Sequence, residues 1–236
     1  MADALGTQTQ VLPLEHTDPK SLQPDRQLIL VYAIHTFNAP ETVKRFARNL
    51  PQGRFEKVHI IRVGCYTSWI NDASSMDIRK ELSAKGYSFG VDQVMAMPLT
   101  LVTAFPEDMV QKQISEARET VRVLAKDIQT DAVYQTTIST KAKWLRRLGP
   151  VESTAARLWG LELHANKNCI QCGLCERECP EGNIRLTEGG KVKFGFKCIM
   201  CIRCVNQCPT QAISPRISKF IPLKGGDDIQ RYVNND

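Results

Sequence analysis

Eight of the chain's nine cysteines fall into two copies of one pattern, Cys169-x2-Cys172-x2-Cys175-x3-Cys179-Pro180 and Cys198-x2-Cys201-x2-Cys204-x3-Cys208-Pro209. Three thiolates placed every third residue on a tightly winding loop can point into one cavity and bind three corners of an iron-sulfur cubane. The fourth corner has to come from elsewhere. Pro180 and Pro209 fix φ and remove a backbone donor where the chain must leave such a site. Given twice, this spacing is a 4Fe-4S signature, and the chemistry it offers is one-electron transfer.

Other uses of the thiols fit less well. Disulfides would suit a small secreted domain, but Met1 is not followed by a charged-then-apolar export segment. Zinc sites usually combine two close cysteines with a second pair or with histidines many residues away, unlike three evenly spaced cysteines followed by Cys-Pro. Cys65 lies far upstream and reads as a small buried residue at a strand end. The two runs also match beyond their cysteines. The offset of 29 residues that lays Cys169 on Cys198 puts Ile170 on Ile199 and Ile184 on Ile213, a pseudo-repeat in which each half supplies apolar cover. Between the runs, Ile184-Arg185-Leu186, Thr187-Glu188-Gly189-Gly190 and Val192-Lys193-Phe194 predict a β-hairpin.

The cysteine-rich stretch is too small to fill 236 residues, so two domains are expected. The boundaries read as a first domain over 1–137, a linker over 138–163, an iron-sulfur domain over 164–218 and a tail over 219–236 that frays or wraps on the surface. No apolar stretch approaches the roughly 18 residues that span a bilayer, and no export signal is seen, which points to a soluble protein in a reducing cytoplasm. The formal charge is +6. Eight ligating thiolates and two oxidised cluster cores would bring it to roughly +2, so the basicity offsets cluster charge and does not indicate a nucleic-acid partner. Lys141, Lys143, Arg146 and Arg147 around Trp144 read as a solvated helix face. Trp159, Leu163 and the other apolar residues of the linker, Trp144, Leu145, Leu148, Leu158 and Leu161, are expected to pack one domain onto the other.

Ahead of the cysteines, residues 28–34 form an uninterrupted apolar run, as expected of a strand covered on both faces of a parallel sheet. Residues 58–63 and 91–97 are further strands, and Gln10–Leu14 is a weaker one at an edge because of Pro13. Helices fit between them. Pro40 opens one that Pro51 ends; Ser74 and Asp77 resemble a capping box with Ile78 and Leu82 inward and Gly86 closing; a long helix over 107–128 carries Val110, Ile114, Ala117, Val121, Leu124 and Ile128 on one stripe. The alternation predicts an α/β domain with a mostly parallel sheet.

The segment Tyr32-Ala33-Ile34-His35-Thr36-Phe37-Asn38-Ala39-Pro40, later Lys85-Gly86-Tyr87 and Met95-Ala96-Met97-Pro98, and then the double cysteine run together resemble the flavodoxin-ferredoxin fusion family. The resemblance implies an incomplete flavodoxin-like α/β domain followed by a small α+β two-cluster ferredoxin-like domain. It also implies the ligand sets, since in bacterial two-cluster ferredoxins the fourth cysteine of each run ligates the other cluster. Cys169, Cys172 and Cys175 would share a cluster with Cys208, and Cys198, Cys201 and Cys204 one with Cys179. The Ser/Thr/Gly-rich loop that cradles FMN phosphate in that family is absent from this sequence, as is a strand before it, so FMN binding is doubtful and a start site further upstream is one expectation. His35 stands where the family often has a tyrosine and reads as a structural residue.

The function expected is that of an electron-transfer protein with two 4Fe-4S clusters, relaying single electrons between redox protein partners. The alternative is a redox-sensing or interaction protein whose clusters are regulatory and whose first domain is a docking surface. No Ser/His/Asp arrangement, dinucleotide fingerprint or Cys-x3-Cys-x2-Cys radical signature is present, so no catalytic residue is named.

Overall fold

In the computed structural model, contacts divide the chain into two compact units, the first built from Met1–Pro98 and Glu107–Gly149 and the second, among the described residues, from Pro106 and Pro150–Ser218. The structure describes all residues except Thr7, Thr36, Tyr66, 99–105 and 219–236; the expected surface tail lies outside the described residues.

The first unit runs α1 (Ala2–Leu5), β1 (Asp25–Ala33), α2 (Glu41–Asn49), β2 (Phe55–Gly64), α3 (Met76–Ala84), β3 (Ser88–Ala96), α4 (Glu107–Gln129), β4 (Tyr134–Gln135) and α5 (Thr140–Leu145). Its four strands form one sheet in the order β1-β2-β3-β4, every pair parallel. The α/β reading holds. β2, inside the sheet, is covered on both faces. Val58 and Ile60 join the side chains of α2 and α3 (Val43, Phe46, Ile78, Leu82), while Ile61 joins Leu124 and Ile128 of α4. Burying a side chain of this size stabilises by about 1.5–3 kcal/mol, so these two layers set the sheet's position.

β1 departs from its expected place. It is an edge strand whose exposure alternates, with Leu30 and Tyr32 buried and Val31 half exposed. An apolar run reports composition, and only the number of neighbouring strands decides whether both faces are covered. Gln10–Leu14 is not a strand: Pro13 precedes a 3-10 turn over Leu14–His16, and Thr17 Oγ1 bonds back to the Pro13 carbonyl. Nor do Ser74 and Asp77 form a capping box. Ser74 lies in a 3-10 segment, Trp69–Ser75, and its hydroxyl donates to the Asn71 carbonyl, while Ser75 precedes α3 and donates to Asp92 Oδ2. Gly86 does close α3 at φ +79, with Tyr87 N bonded to the Leu82 carbonyl.

The centre of the sheet holds an ion pair that strand patterning gave no reason to expect. Arg62 on β2 and Asp92 on β3 are buried, with Nε 2.8 Å from Oδ1, close enough for charge pairing but off-axis for a hydrogen bond. Arg62 Nη1 donates to the carbonyls of Asn71 and Asp72, and Nη2 to Thr136 Oγ1. One side chain thereby ties the 3-10 segment and the chain beyond β4 to the sheet.

The second unit runs α6 (Gly149–Glu162), β5 (Leu163–Ala165), α7 (Leu174–Arg177), β6 (Ile184–Leu186), β7 (Val192–Phe194), α8 (Arg203–Asn206) and β8 (Ile213–Pro215). The segment expected as a linker is therefore helical. β5 pairs with β8 and β6 with β7, both antiparallel; the second pair is the expected hairpin. The 29-residue offset carries β5 onto β7, α7 onto α8 and β6 onto β8, so each half forms one short pair by trading strands with the other. Backbone detail follows it too. Gln171, Gly173 and Gly182 have φ of 59, 71 and 57, and their counterparts Met200, Ile202 and Gln211 have 55, 49 and 50. Trp159 and Leu163 pack with Ile202, Val205 and Ile213 into this unit's own core, whereas Trp144, Leu148, Leu158 and Leu161 are exposed. Trp159 and Leu163 thus serve this unit's own core, and helical phase, about 100° per residue, turns the adjacent Leu158 out of it.

Candidate metal centre

Each cysteine run is built from the same three pieces. Two cysteines lie on a loop, Cys169 and Cys172 or Cys198 and Cys201. A left-handed residue, Gly173 or Ile202, then turns the chain into a one-turn helix that carries the third, Cys175 or Cys204. The fourth, Cys179 or Cys208, follows the helix, and its Sγ accepts a backbone N–H four residues on, from Asn183 or Ala212, each at 3.2 Å. Cys198 Sγ accepts a third such bond from Met200 N at 3.3 Å. Amide donors of this kind favour the thiolate over the thiol.

Four of the sulfurs share one neighbourhood. Cys179, Cys198, Cys201 and Cys204 line one cavity whose walls are mostly apolar, with Trp159, Leu163, Ile184, Phe194 and Ile202 among them. Cys169 and Cys172 lie near Cys175, which packs with Cys208 against the same apolar cluster around Trp159 and Val205. All nine cysteines are free thiols, and Cys65, just beyond β2, is half-buried where a buried position was expected. Among the described residues no three His, Cys, Asp or Glu side chains gather closely enough to hold a single metal ion.

Without metal, the cavity resists charge. Burial pushes the Cys204 thiol up to about 12, and the neighbouring Cys201, Cys198, Cys179 and Cys175 push the same way. Burial likewise raises Cys198 to about 11 despite the Met200 amide. Cys208, which does not line that cavity, shifts the other way. Burial opposes its ionisation, but the amides of Ala212, Thr210 and Ile213 and the Thr210 hydroxyl together hold it below the ordinary thiol range. Several thiolates crowded in an apolar cavity repel one another, and a polynuclear cationic core removes that repulsion. The soft donors, amide N–H groups aimed at sulfur and apolar walls fit an iron-sulfur group.

Sequence reasoning missed Asn183 and Gly160. Asn183 is buried; its amide serves Cys179, its carbonyl accepts Gly195 N at 2.8 Å and its Oδ1 accepts Lys197 N, joining the end of one run to the start of the next. The repeat offset, which lays Asn183 on Ala212, was the available signal. Gly160 of α6 lies against Cys198. His35 exchanges backbone bonds with Asn38 at the end of β1. Of the basic run, Arg146 turns inward to Asp77 at 2.9 Å, and Arg147 lies over the Trp144 ring.

Two known proteins are similar to short stretches of the chain. Over 50 residues, 21% of this chain, it is 40% identical to 58% of the pyruvate synthase subunit PorD of Methanocaldococcus jannaschii. Over 48 residues, 20% of the chain, it is 48% identical to 18% of a protein of the ion-translocating oxidoreductase complex of Methanosarcina acetivorans. The chain thus spans less than two thirds of the length of each. Residues 168–213, which contain all eight clustered cysteines, match the family model described as a 4Fe-4S dicluster domain.

Proposed function

We propose that the chain is an electron-transfer protein holding two 4Fe-4S clusters, one on Cys169, Cys172, Cys175 and Cys208 and the other on Cys198, Cys201, Cys204 and Cys179. The observation that carries the proposal is the cavity in which Cys179, from the first run, stands with three cysteines of the second. When bound, such clusters supply one-electron transfer at potentials set by charge, burial and hydrogen bonds to sulfur. The chain's own part is to orient the thiolates through Asn183, Met200 and Ala212 and to exclude water with Trp159, Leu163 and Ile202.

Relatives whose names place them in a pyruvate synthase and in an ion-translocating oxidoreductase complex support redox proteins as donor and acceptor. The first unit is read as flavodoxin-like. Its order β1-β2-β3 fits the last three strands of a flavodoxin-like 2-1-3-4-5 sheet, which supports the flavodoxin-like reading. Reduced thiols suit the cytoplasm. Anaerobic reconstitution tests the proposal: about eight iron and eight sulfide per chain with a reducible EPR signal are expected. Stoichiometric zinc, or clusters that cannot be reduced and reoxidised repeatedly, would end it.

A further inference from the structure

α6 reaches the second cysteine set at unusually short range. A Cβ built on Gly160 would overlap Cys198 Cβ and lie 3.0 Å from its Sγ, so the helix backbone rests directly on the cysteine. The residue before it, Trp159, is thereby set into the wall of the cavity that Cys179, Cys198, Cys201 and Cys204 line. Trp159 is 6% exposed, and its indole N–H has no acceptor among the described residues. Indole nitrogen only donates, and a buried donor left unpaired costs about 1–3 kcal/mol. Burying that donor among apolar walls makes sense when an acceptor arrives with the metal.

The two cysteine sets differ in this respect. The 29-residue offset carries Trp159 onto Glu188, an exposed residue in the turn of the β6–β7 hairpin. The repeat thus supplies the first set with no counterpart of Trp159.

We infer that the Trp159 indole N–H donates a hydrogen bond to sulfur of the cluster held by Cys179, Cys198, Cys201 and Cys204, and so distinguishes that cluster from its twin. The inference rests on the ligation proposed above. A donor to sulfur stabilises the more negative, reduced state, so it raises the potential of one cluster only. Trp159 is a positioning and tuning residue here, with no chemistry of its own.

The test is EPR hyperfine spectroscopy on reconstituted, reduced protein carrying tryptophan labelled with 15N in the indole ring. One reduced cluster is expected to show an indole nitrogen coupling, absent from Trp159→Phe and retained when Trp69 and Trp144 are both replaced by Phe. In Trp159→Phe with full iron content, one midpoint potential moves to more negative values and the other stays. If the wild-type chain holds iron and shows no indole coupling, water or nothing accepts the proton and the inference falls while the electron-transfer reading stands. Full-iron Trp159→Phe with both midpoints unmoved has the same meaning. If the wild-type chain takes up no iron, the ligation itself is wrong. Should Trp159→Phe not hold clusters, the coupling in the wild type and in the Trp69/Trp144 variant decides alone.

Discussion

Gly160 gives α6 a side-chain-free surface that rests on Cys198, whose Sγ would lie 3.0 Å from a Cβ at that position. In an ordinary helix, replacing glycine by alanine stabilises by about 1 kcal/mol. Here the added carbon meets the body of a cysteine held by its own loop, and the sign reverses. Gly160→Val is expected to lower iron from about eight to about four per chain, because only the cysteine set containing Cys198 is disturbed. Iron and labile sulfide analysis after anaerobic reconstitution checks this. Eight irons in the valine variant would show that α6 can lift away without loss.

A second asymmetry sits at the left-handed residue before each short helix, which is Gly173 in one half and Ile202, at φ 49, in the other. Left-handed backbone costs a non-glycine residue about 1–2 kcal/mol. Ile202 is 7% exposed and belongs to the core around Trp159. Removing a buried isoleucine costs about 2–5 kcal/mol, so Ile202→Gly should destabilise by about 1–3 kcal/mol net even though it relieves the backbone. Anaerobic denaturation of the cluster-loaded protein gives the difference; a more stable variant would mean that strain outweighs burial here.

How much of this can be read from the sequence follows from the range of each interaction. Cysteine spacing is local geometry, so the runs, the hairpin between them and the helices holding Ile78 or Ile114 are legible. Whether a strand lies inside a sheet depends on remote partners, so the run containing Val31 reads as deeper than it lies, and Gln10–Leu14 reads as a strand that its proline turn forbids. Trp159 is legible as a packing residue, but its phase on α6 and the glycine beside it acquire meaning only once Cys198 is brought beneath them. Arg62 and Asp92 carry no signal at all, since a charged residue in an apolar strand usually faces water.

That buried pair makes an asymmetric prediction. Asp92 would keep Arg79 Nη1 at 3.1 Å and the Ser75 hydroxyl if Arg62 were replaced, whereas Arg62 has no other carboxylate within pairing distance among the described residues. Asp92→Ala is therefore expected to destabilise the protein by about 3–5 kcal/mol, the cost of stranding a buried charge, and Arg62→Met by less. Urea denaturation followed by far-UV circular dichroism measures both. Equal losses would mean that the pair acts through packing alone.

His59 makes the sheet sensitive to acid. It is fully buried on β2 where the β2–β3 register shifts between Val58 and Ile60, and its Nδ1 accepts the Val91 amide at 3.1 Å, replacing a ladder bond lost at the irregularity. Only a neutral ring can accept there. Burial lowers its pKa from 6.5 to about 4, the Lys57 charge acts in the same direction and Asp131 opposes them. Because the folded value lies below the unfolded one, the unfolded chain binds the extra proton first; the stabilisation is present in full above about pH 6.5 and is lost as pH falls toward 4. Hydrogen exchange of β2 and β3 amides, corrected for intrinsic rates, should show falling protection across that interval. His59→Asn, which can still accept at Nδ1's place but does not titrate, should flatten the dependence, and an unchanged slope in that variant would assign the acid sensitivity to another group.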